Sequence, residues 1–128
     1  MEKEKIKAEI VSSIKNAQTK LGFTLISEDW GGSKFQCTCA LGCVLASKGL
    51  SIASTDSPNV AKIAEIFGVD EKWVESFMQG FDTTPPDDKY NKEAFSLGQS
   101  VRDEFKPVQS HYYYREWWKE QTRVAAGD

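Results

Sequence analysis

The stretch VAKIAEIFGVDEKWVESFM, residues 60–78, determines the fold more directly than any other part of the chain. Apolar residues recur there every three or four positions, which is the spacing of an amphipathic helix. Gly68 interrupts the pattern where a helix would end, and Asp70 follows as a cap for a second helix. The apolar positions are Val60, Ile63, Ala64 and Phe67 before the glycine, and Val74, Phe77 and Met78 after it. The stretch therefore predicts a pair of helices joined by a tight turn, over residues 58–80.

The rest of the chain continues this helical pattern in both directions. Helices are also predicted over residues 4–21, 38–48, 92–105 and 108–125, with Ser57 and Pro58 at the start of the helix that contains Val60.

Small residues within residues 38–48, and Gly98 in a later helix, indicate places where another helix passes close by. Residues 22–36 and 82–91 read as loops. The first loop is expected to hold a short extended piece at 23–26 and the core residue Trp30. The sequence thus predicts an all-α fold, a compact single-domain bundle of about five or six helices covering residues 1–128.

The size and charge of the chain limit what it can be. Its 128 residues suit one domain that buries about two thirds of its unfolded surface, which needs no disulfide or metal to hold a core. The net charge of -3 is too small to indicate a nucleic-acid binder from bulk charge. The chain has no long apolar run and no signal-peptide core, so no membrane partner is expected. The odd number of cysteines favours a reducing compartment, and we expect a cytoplasmic protein.

Three cysteines lie close together in CTCALGC, residues 37–43. A structural zinc ion needs four ligands, which Cys37, Cys39, Cys43 and His111 could supply, but the second closely spaced ligand pair of typical zinc sites is missing. Free cysteine is also among the most buried residue types, so the three thiols could equally be packing atoms of a core helix. We favour packing, and we predict no metal and no cofactor.

The same cluster raises the alternative of a thiol enzyme. A helix that begins near Cys37 and Cys39 would lower a thiol pKa through its dipole. The residues from Gly31 to Leu41, with His111 later in the chain, resemble papain-like proteases, in which a cysteine opens a helix after a glycine-bearing loop. Those enzymes present their histidine from a β-rich half, and none is predicted here. We therefore predict no catalytic residues and keep a cysteine-based enzyme or zinc-binding protein as an alternative.

Residues 60–78 also resemble the helix-turn-helix motif of DNA-binding proteins. The resemblance rests on Ala64 in the first helix, Gly68 in the turn and apolar residues beyond it. In that motif the second helix enters the major groove. Here the second helix would bring Asp70, Glu71 and Glu75 towards the phosphates, where positive charge normally supplies the affinity. A DNA-binding regulator is therefore an alternative and not the favoured function.

The segment HYYYREWWK, residues 111–119, has the highest density of aromatic residues in the chain. On a helix its five Tyr and Trp rings cover too wide an arc for one face of a domain to bury, so some of them should be exposed. Tyrosine, tryptophan and arginine are enriched at binding hot spots. The predicted partner-binding residues are Tyr113, Tyr114, Arg115, Trp117, Trp118 and Lys119.

A basic ridge accompanies these rings at i, i+4 spacing, and Glu116 and Glu120 are expected to neutralise part of it. Two other interpretations of this helix remain open. It could be a large core helix with its tyrosine hydroxyls at the edge. It could also be a platform on which single-stranded bases stack.

An acidic loop, DTTPPDD, occupies residues 82–88. It lacks the residue order of an EF-hand, which places a glycine at the centre and a glutamate at the end. We expect Asp82, Asp87 and Asp88 to be solvated.

The motifs CALG at 39–42, GFD at 80–82 and LG at 97–98 resemble small uncharacterised all-helical proteins of bacteria and their phages. The resemblance carries no activity, and it implies a protein that acts by binding a host or phage protein. We predict a small non-enzymatic intracellular protein-binding or regulatory protein that uses its aromatic C-terminal helix. Its partner would be another protein or a second copy of the chain, and nucleic acid is not favoured.

Overall fold

The computed structural model of the protein describes residues 2–127, and within them the chain forms six α-helices and four short strands. The helices are α1 (Lys3–Thr19), α2 (Ala40–Ser47), α3 (Asp56–Phe67), α4 (Glu71–Phe81), α5 (Lys92–Phe105) and α6 (Ser110–Ala125). The strands are β1 (Thr24–Ser27), β2 (Gly31–Gly32), β3 (Cys37–Thr38) and β4 (Val108–Gln109). The protein is mostly helical, as the sequence predicts, but the prediction of a purely all-α fold is wrong.

The small sheet has the strand order β2-β3-β1-β4. Strand β1 runs parallel to both β3 and β4, and β2 is antiparallel to β3. Thr24 pairs with Cys37, and Ile26 pairs with Val108. Three of the four strands are only two residues long, too short for an alternating pattern to appear in the sequence. The sheet joins the loop after α1 to the segment after α5, and so it fixes where α6 begins.

The residues that were predicted to end one helix of the pair and to cap the next do so in the structure. Gly68 ends α3 in the left-handed conformation, with φ of 66°, and the Asp70 carboxylate accepts a 2.8 Å hydrogen bond from the backbone N–H of Trp73. The start of α3 differs from the prediction: the helix begins at Asp56, so Ser57 is not its cap and Pro58 lies within the first turn.

Three other predicted boundaries are also wrong. The helix predicted over residues 38–48 begins at Ala40, because Cys37 and Thr38 form β3. The first helix ends at Thr19, and Leu21, predicted to lie on its apolar face, is 46% exposed beyond the end. The last helix begins at Ser110 and not at residue 108, because Val108 and Gln109 pair with β1. The predicted extended piece at 23–26 is confirmed as β1, one residue further along.

Helices α4 and α5 approach each other most closely, at two glycines. A Cβ atom added to Gly98 would lie 2.1 Å from the carbonyl oxygen of Phe77, and one added to Gly80 would lie 2.1 Å from that of Phe95. The close contact predicted at Gly98 is confirmed. Within α4 the rings of Trp73 and Phe77 are stacked with centroids 6.0 Å apart, and those of Phe77 and Phe81 are stacked at 6.2 Å.

Helix α1 packs on α2 through a buried stripe that the sequence predicts: Ile6, Ile10, Ile14 and Ala17. Polar contacts complete this junction, since the Ser47 hydroxyl accepts a hydrogen bond from Asn16 and donates one to the carbonyl of Ser13. Trp30 is buried in the core, as predicted. The atom nearest to a Cβ built on Gly42 is the Thr38 hydroxyl, which belongs to a neighbouring strand and not to another helix.

Every helix within residues 2–127 is too short or too polar to cross a lipid bilayer.

Candidate functional site

Helix α6 begins directly after the edge strand of the sheet and packs against the outside of the domain. Lys106 ends α5 in the left-handed conformation, with φ of 49°, and β4 then pairs with β1 before α6 begins. No side chain between Ser110 and Ala125 is buried. The interpretation of this segment as a core helix is therefore wrong, although its aromatic content made it plausible.

The first half of α6 packs on Phe35, which we call the seat of α6. Its ring meets Tyr114 edge to face at a centroid distance of 5.2 Å and meets Trp117 in the same way at 5.0 Å. The Tyr113 hydroxyl donates a 2.5 Å hydrogen bond to the backbone carbonyl of Phe35. The helix is thus held both by ring packing and by a polar contact to the same residue.

The Tyr114 hydroxyl makes a second attachment. It donates a 2.7 Å hydrogen bond to the carboxylate of Asp29, and it accepts a 3.7 Å contact from the thiol of Cys37. Burial raises the pKa of Tyr114, and the bond to Asp29 raises it further. The phenol therefore stays protonated and keeps donating, so this contact persists throughout the physiological pH range.

The side of α6 that points away from the domain carries Tyr112, Arg115, Trp118 and Lys119, which we call the outer face. Trp118 is 57% exposed and Tyr112 is 46% exposed. The Arg115 guanidinium lies 5.1 Å from the centre of the Tyr112 ring, a cation–π distance. The expectation that some rings would be exposed is confirmed.

The structure divides the predicted partner-binding residues into two groups. Three of them, Tyr113, Tyr114 and Trp117, are half-buried and attach α6 to the domain. The other three, Arg115, Trp118 and Lys119, are exposed on the outer face. This second group is the more exposed one while α6 stays attached to Phe35.

The charges of α6 are paired among themselves, as the sequence predicts. Lys119 lies 3.3 Å from Glu116, Arg115 lies 3.8 Å from the same carboxylate, and Arg123 pairs with Glu120. Such exposed pairs contribute at most about 1 kcal/mol. A partner that offers a better carboxylate could therefore replace them at little cost.

The three cysteines are free thiols buried in the core. Cys39 caps α2, and its sulfur accepts a 3.4 Å contact from the N–H of Gly42. Burial nevertheless raises the pKa of the Cys39 thiol and raises that of Cys43 to about 12. The expected lowering by the helix N-terminus is outweighed, because removing a thiolate from water costs more than one weak hydrogen bond returns.

A thiol enzyme or a zinc site would also use the histidine of the chain. His111 is on the exposed surface of α6, where its ring contacts Tyr112 at a centroid distance of 4.0 Å. Within residues 2–127, no three His, Cys, Asp or Glu side chains come together as metal ligands would. The geometry therefore gives the alternative of a cysteine-based enzyme or zinc protein no support.

In the helix-turn-helix-like pair, α4 is largely enclosed by the domain. Its exposed side carries Glu71, Lys72 and Glu75, and Lys72 is already engaged by Glu75 at 3.8 Å and by Asp87 at 3.3 Å. A surface of this sign repels phosphate groups. The charge of α4 does not favour the alternative of DNA binding.

Sequence reasoning missed the residues that receive α6, Phe35 and Asp29. Neither belongs to a periodic segment, and an isolated aromatic residue in a glycine-containing loop was the only signal. The expectation that Asp82 is solvated is also wrong. Its carboxylate is partly buried and accepts a 2.8 Å hydrogen bond from the N–H of Glu28, and burial is the main reason its pKa rises to about 6.

Comparison with family models, with curated proteins and with solved structures finds nothing that matches this chain. The resemblances to helix-turn-helix proteins and to helical proteins of bacteria and phages therefore stay predictions.

Proposed function

We propose that this is a small non-enzymatic intracellular protein-binding or regulatory protein whose contact surface is the outer face of α6. The observation that carries the proposal is Trp118, whose side chain is more than half exposed on a helix that has no fully buried residue. Complete burial of a large apolar side chain is worth about 1.5–3 kcal/mol. A partner that covers Trp118 would gain a large part of that energy.

The attachment of α6 supports this role. Helix formation in isolation is marginal at this length, and the helix here is held by Phe35 and by the hydroxyls of Tyr113 and Tyr114. The outer face is therefore presented in a fixed arrangement before binding, and less conformational entropy is lost when a partner is bound.

The chemistry of the outer face suits another protein. Tryptophan, tyrosine and arginine lie next to one another there, the combination that dominates binding hot spots. The partner would be another protein, for which the resemblance to bacterial and phage proteins suggests a host or phage component, or a second copy of this chain.

Site-specific photocrosslinking in the protein's own host tests the proposal. Trp118 is replaced by benzoylphenylalanine, and Leu50, an exposed apolar residue outside α6, is replaced in a matched control. We expect one discrete adduct from position 118 and none from position 50. An adduct of twice the chain mass would identify a second copy.

Two outcomes would contradict the proposal. One is the absence of any adduct from position 118 when the variant is folded, and the other is the same adducts from both positions. Circular dichroism of the two variants provides the check on folding.

A further inference from the structure

A groove that no residue of α6 lines runs between the β1–β2 loop, the start of α2, and helices α3 and α4, although Asp29 on its rim also accepts the hydrogen bond from Tyr114. It consists of two adjoining cavities of about 280 and 320 Å³, which share Asp56, Met78 and Asp82 in their linings. Its floor is apolar: the partly exposed Met78 lies there above Leu41, Phe77 and Phe81, which are buried in the hydrophobic core. Each cavity is close to the lower end of the roughly 300–1,000 Å³ typical of pockets for drug-sized ligands, so each suits a group of side-chain size.

The rim of this groove carries negative charge only. Its carboxylates are Glu28, Asp29, Asp56, Glu71, Glu75 and Asp82, and no Lys, Arg or His lines either cavity. Glu75 is paired with Lys72, while within residues 2–127 the other five carboxylates form no ion pair. The groove is thus a surface of one sign above an apolar floor, and it lacks the cation that would balance it.

The carboxylates of the rim also act on one another. The proximity of Glu28, Asp29 and Asp56 adds to burial in raising the pKa of Asp82. An unbalanced cluster of this kind is stabilised by any cation that enters. Within residues 2–127 these carboxylates do not converge as metal ligands would.

Two further features distinguish the groove wall. Glu28 holds a left-handed backbone conformation, with φ of 73°, which costs a non-glycine residue free energy and aims its N–H at Asp82. Trp30 also lines the groove, and its indole Nε1 is the only buried side-chain nitrogen or oxygen within residues 2–127 that lacks a hydrogen-bond partner. A carbonyl oxygen from a bound peptide is the kind of acceptor this N–H needs.

We propose that this groove binds a basic peptide segment of a protein partner, with an arginine or lysine side chain held by Asp56 and Asp82 and its aliphatic stem resting on Met78. The long stems of these residues are suited to an apolar floor beneath a charged rim. The inference goes beyond the function proposed for α6, because no residue of α6 lines the groove.

The test uses a fluorescein-labelled short peptide of alternating leucine and arginine, with a matched leucine–glutamate peptide and spermidine as comparison ligands. Binding is followed by fluorescence anisotropy at low and at physiological salt. The indole N–H signals of the ¹⁵N-labelled protein locate the binding site. We expect saturable binding of the arginine peptide that weakens as salt rises and that shifts the Trp30 signal.

Substitutions then show whether the carboxylates of the groove bind the arginine peptide. The double variant Glu28→Gln, Asp56→Asn should weaken binding about tenfold or more, a loss of about 1.4 kcal/mol. The matched control Glu104→Gln removes an exposed carboxylate outside the groove and should leave binding unchanged. Trp118→Ala should also leave it unchanged, so a failure of this proposal and a failure of the α6 proposal can be told apart.

The proposal is overturned if the double variant binds the arginine peptide as tightly as the unaltered protein does. It is equally overturned if spermidine binds as well as the arginine peptide, because the groove would then attract any cation. The same holds if the glutamate peptide binds as well, because the groove would then not distinguish positive from negative charge. Should the double variant fail to fold, the indole spectrum of the unaltered protein decides: a Trp30 signal that the arginine peptide does not move rules the groove out.

Discussion

Helices α4 and α6 both carry dense aromatic residues, and the protein uses them in opposite ways. In α4, Trp73, Phe77 and Phe81 stack along one side and are buried against the core. In α6 no residue is buried, and Trp118 is 57% exposed. The difference arises because α4 has a partner helix that meets it at Gly80 and Gly98, whereas α6 rests on the ring of Phe35 and on a few hydrogen bonds.

This contrast shows that aromatic density alone does not locate a core. What matters is whether the surrounding backbone comes close enough to enclose the rings. In α4 the rings stabilise the fold, and in α6 the exposed rings remain available for contact with a partner.

The largest expected effect comes from truncating a ring in each helix. Phe77→Ala should lower the free energy of unfolding by about 3–5 kcal/mol, because it leaves a cavity in a fully buried stack. Trp118→Ala should change it by no more than about 0.5 kcal/mol. Urea denaturation monitored by circular dichroism measures both, and equal losses would remove the distinction between the two helices.

The close approach of α4 and α5 is tested next. Gly98→Ala should destabilise the protein by about 1–3 kcal/mol, because the new Cβ would lie 2.1 Å from the Phe77 carbonyl and the helices would have to separate. This loss would occur although alanine is favoured over glycine in a helix by about 1 kcal/mol. Ser100→Ala, at an exposed position of the same helix, is the control and should be neutral or slightly stabilising.

A smaller effect on the free energy of unfolding is expected at Asp82, which directly follows α4. The folded protein holds the proton of Asp82 more tightly than the unfolded chain does, since its pKa rises from 3.8 to about 6. The stability that this proton contributes is complete below pH 4 and is lost as the pH rises through 6. Asp82→Asn keeps the acceptor for the Glu28 N–H and removes the titration.

At pH 7 the Asp82→Asn variant should therefore be more stable than the unaltered protein by about 1–2 kcal/mol, after allowance for solvent around a partly buried group, and the two should converge near pH 4. Urea denaturation at a series of pH values measures the difference. A constant difference across that range would show that Asp82 does not titrate as inferred.

The smallest effect on global stability is expected where α6 is attached. Tyr114→Phe removes the hydrogen bond to Asp29 and leaves the ring on Phe35, so the free energy of unfolding should fall by about 1 kcal/mol or less. Amide hydrogen exchange in α6 should nevertheless become faster, because the helix opens locally without global unfolding. Tyr112→Phe, on the outer face, is the control, and exchange that is equally fast in both variants would rule out the attachment through Tyr114.

Much of the helical framework was predictable from the sequence because its signals are local. The span of α5 from Lys92 to Phe105, the end of α3 at Gly68 and the cap at Asp70 depend only on neighbouring residues. The close contact at Gly98 was predictable for a similar reason, since a glycine inside an otherwise regular helix usually marks a nearby backbone.

The sheet, the seat of α6 and the acidic groove depended on the tertiary structure. Two-residue strands carry no periodicity, and Phe35 and Tyr114 meet across a long separation in the chain. The sequence determined which faces of the helices are apolar, because residue spacing sets that directly. Which of those faces is covered, and by what, depends on contacts between distant segments, and so only the folded chain decided that the rings of α4 are enclosed and that Trp118 is not.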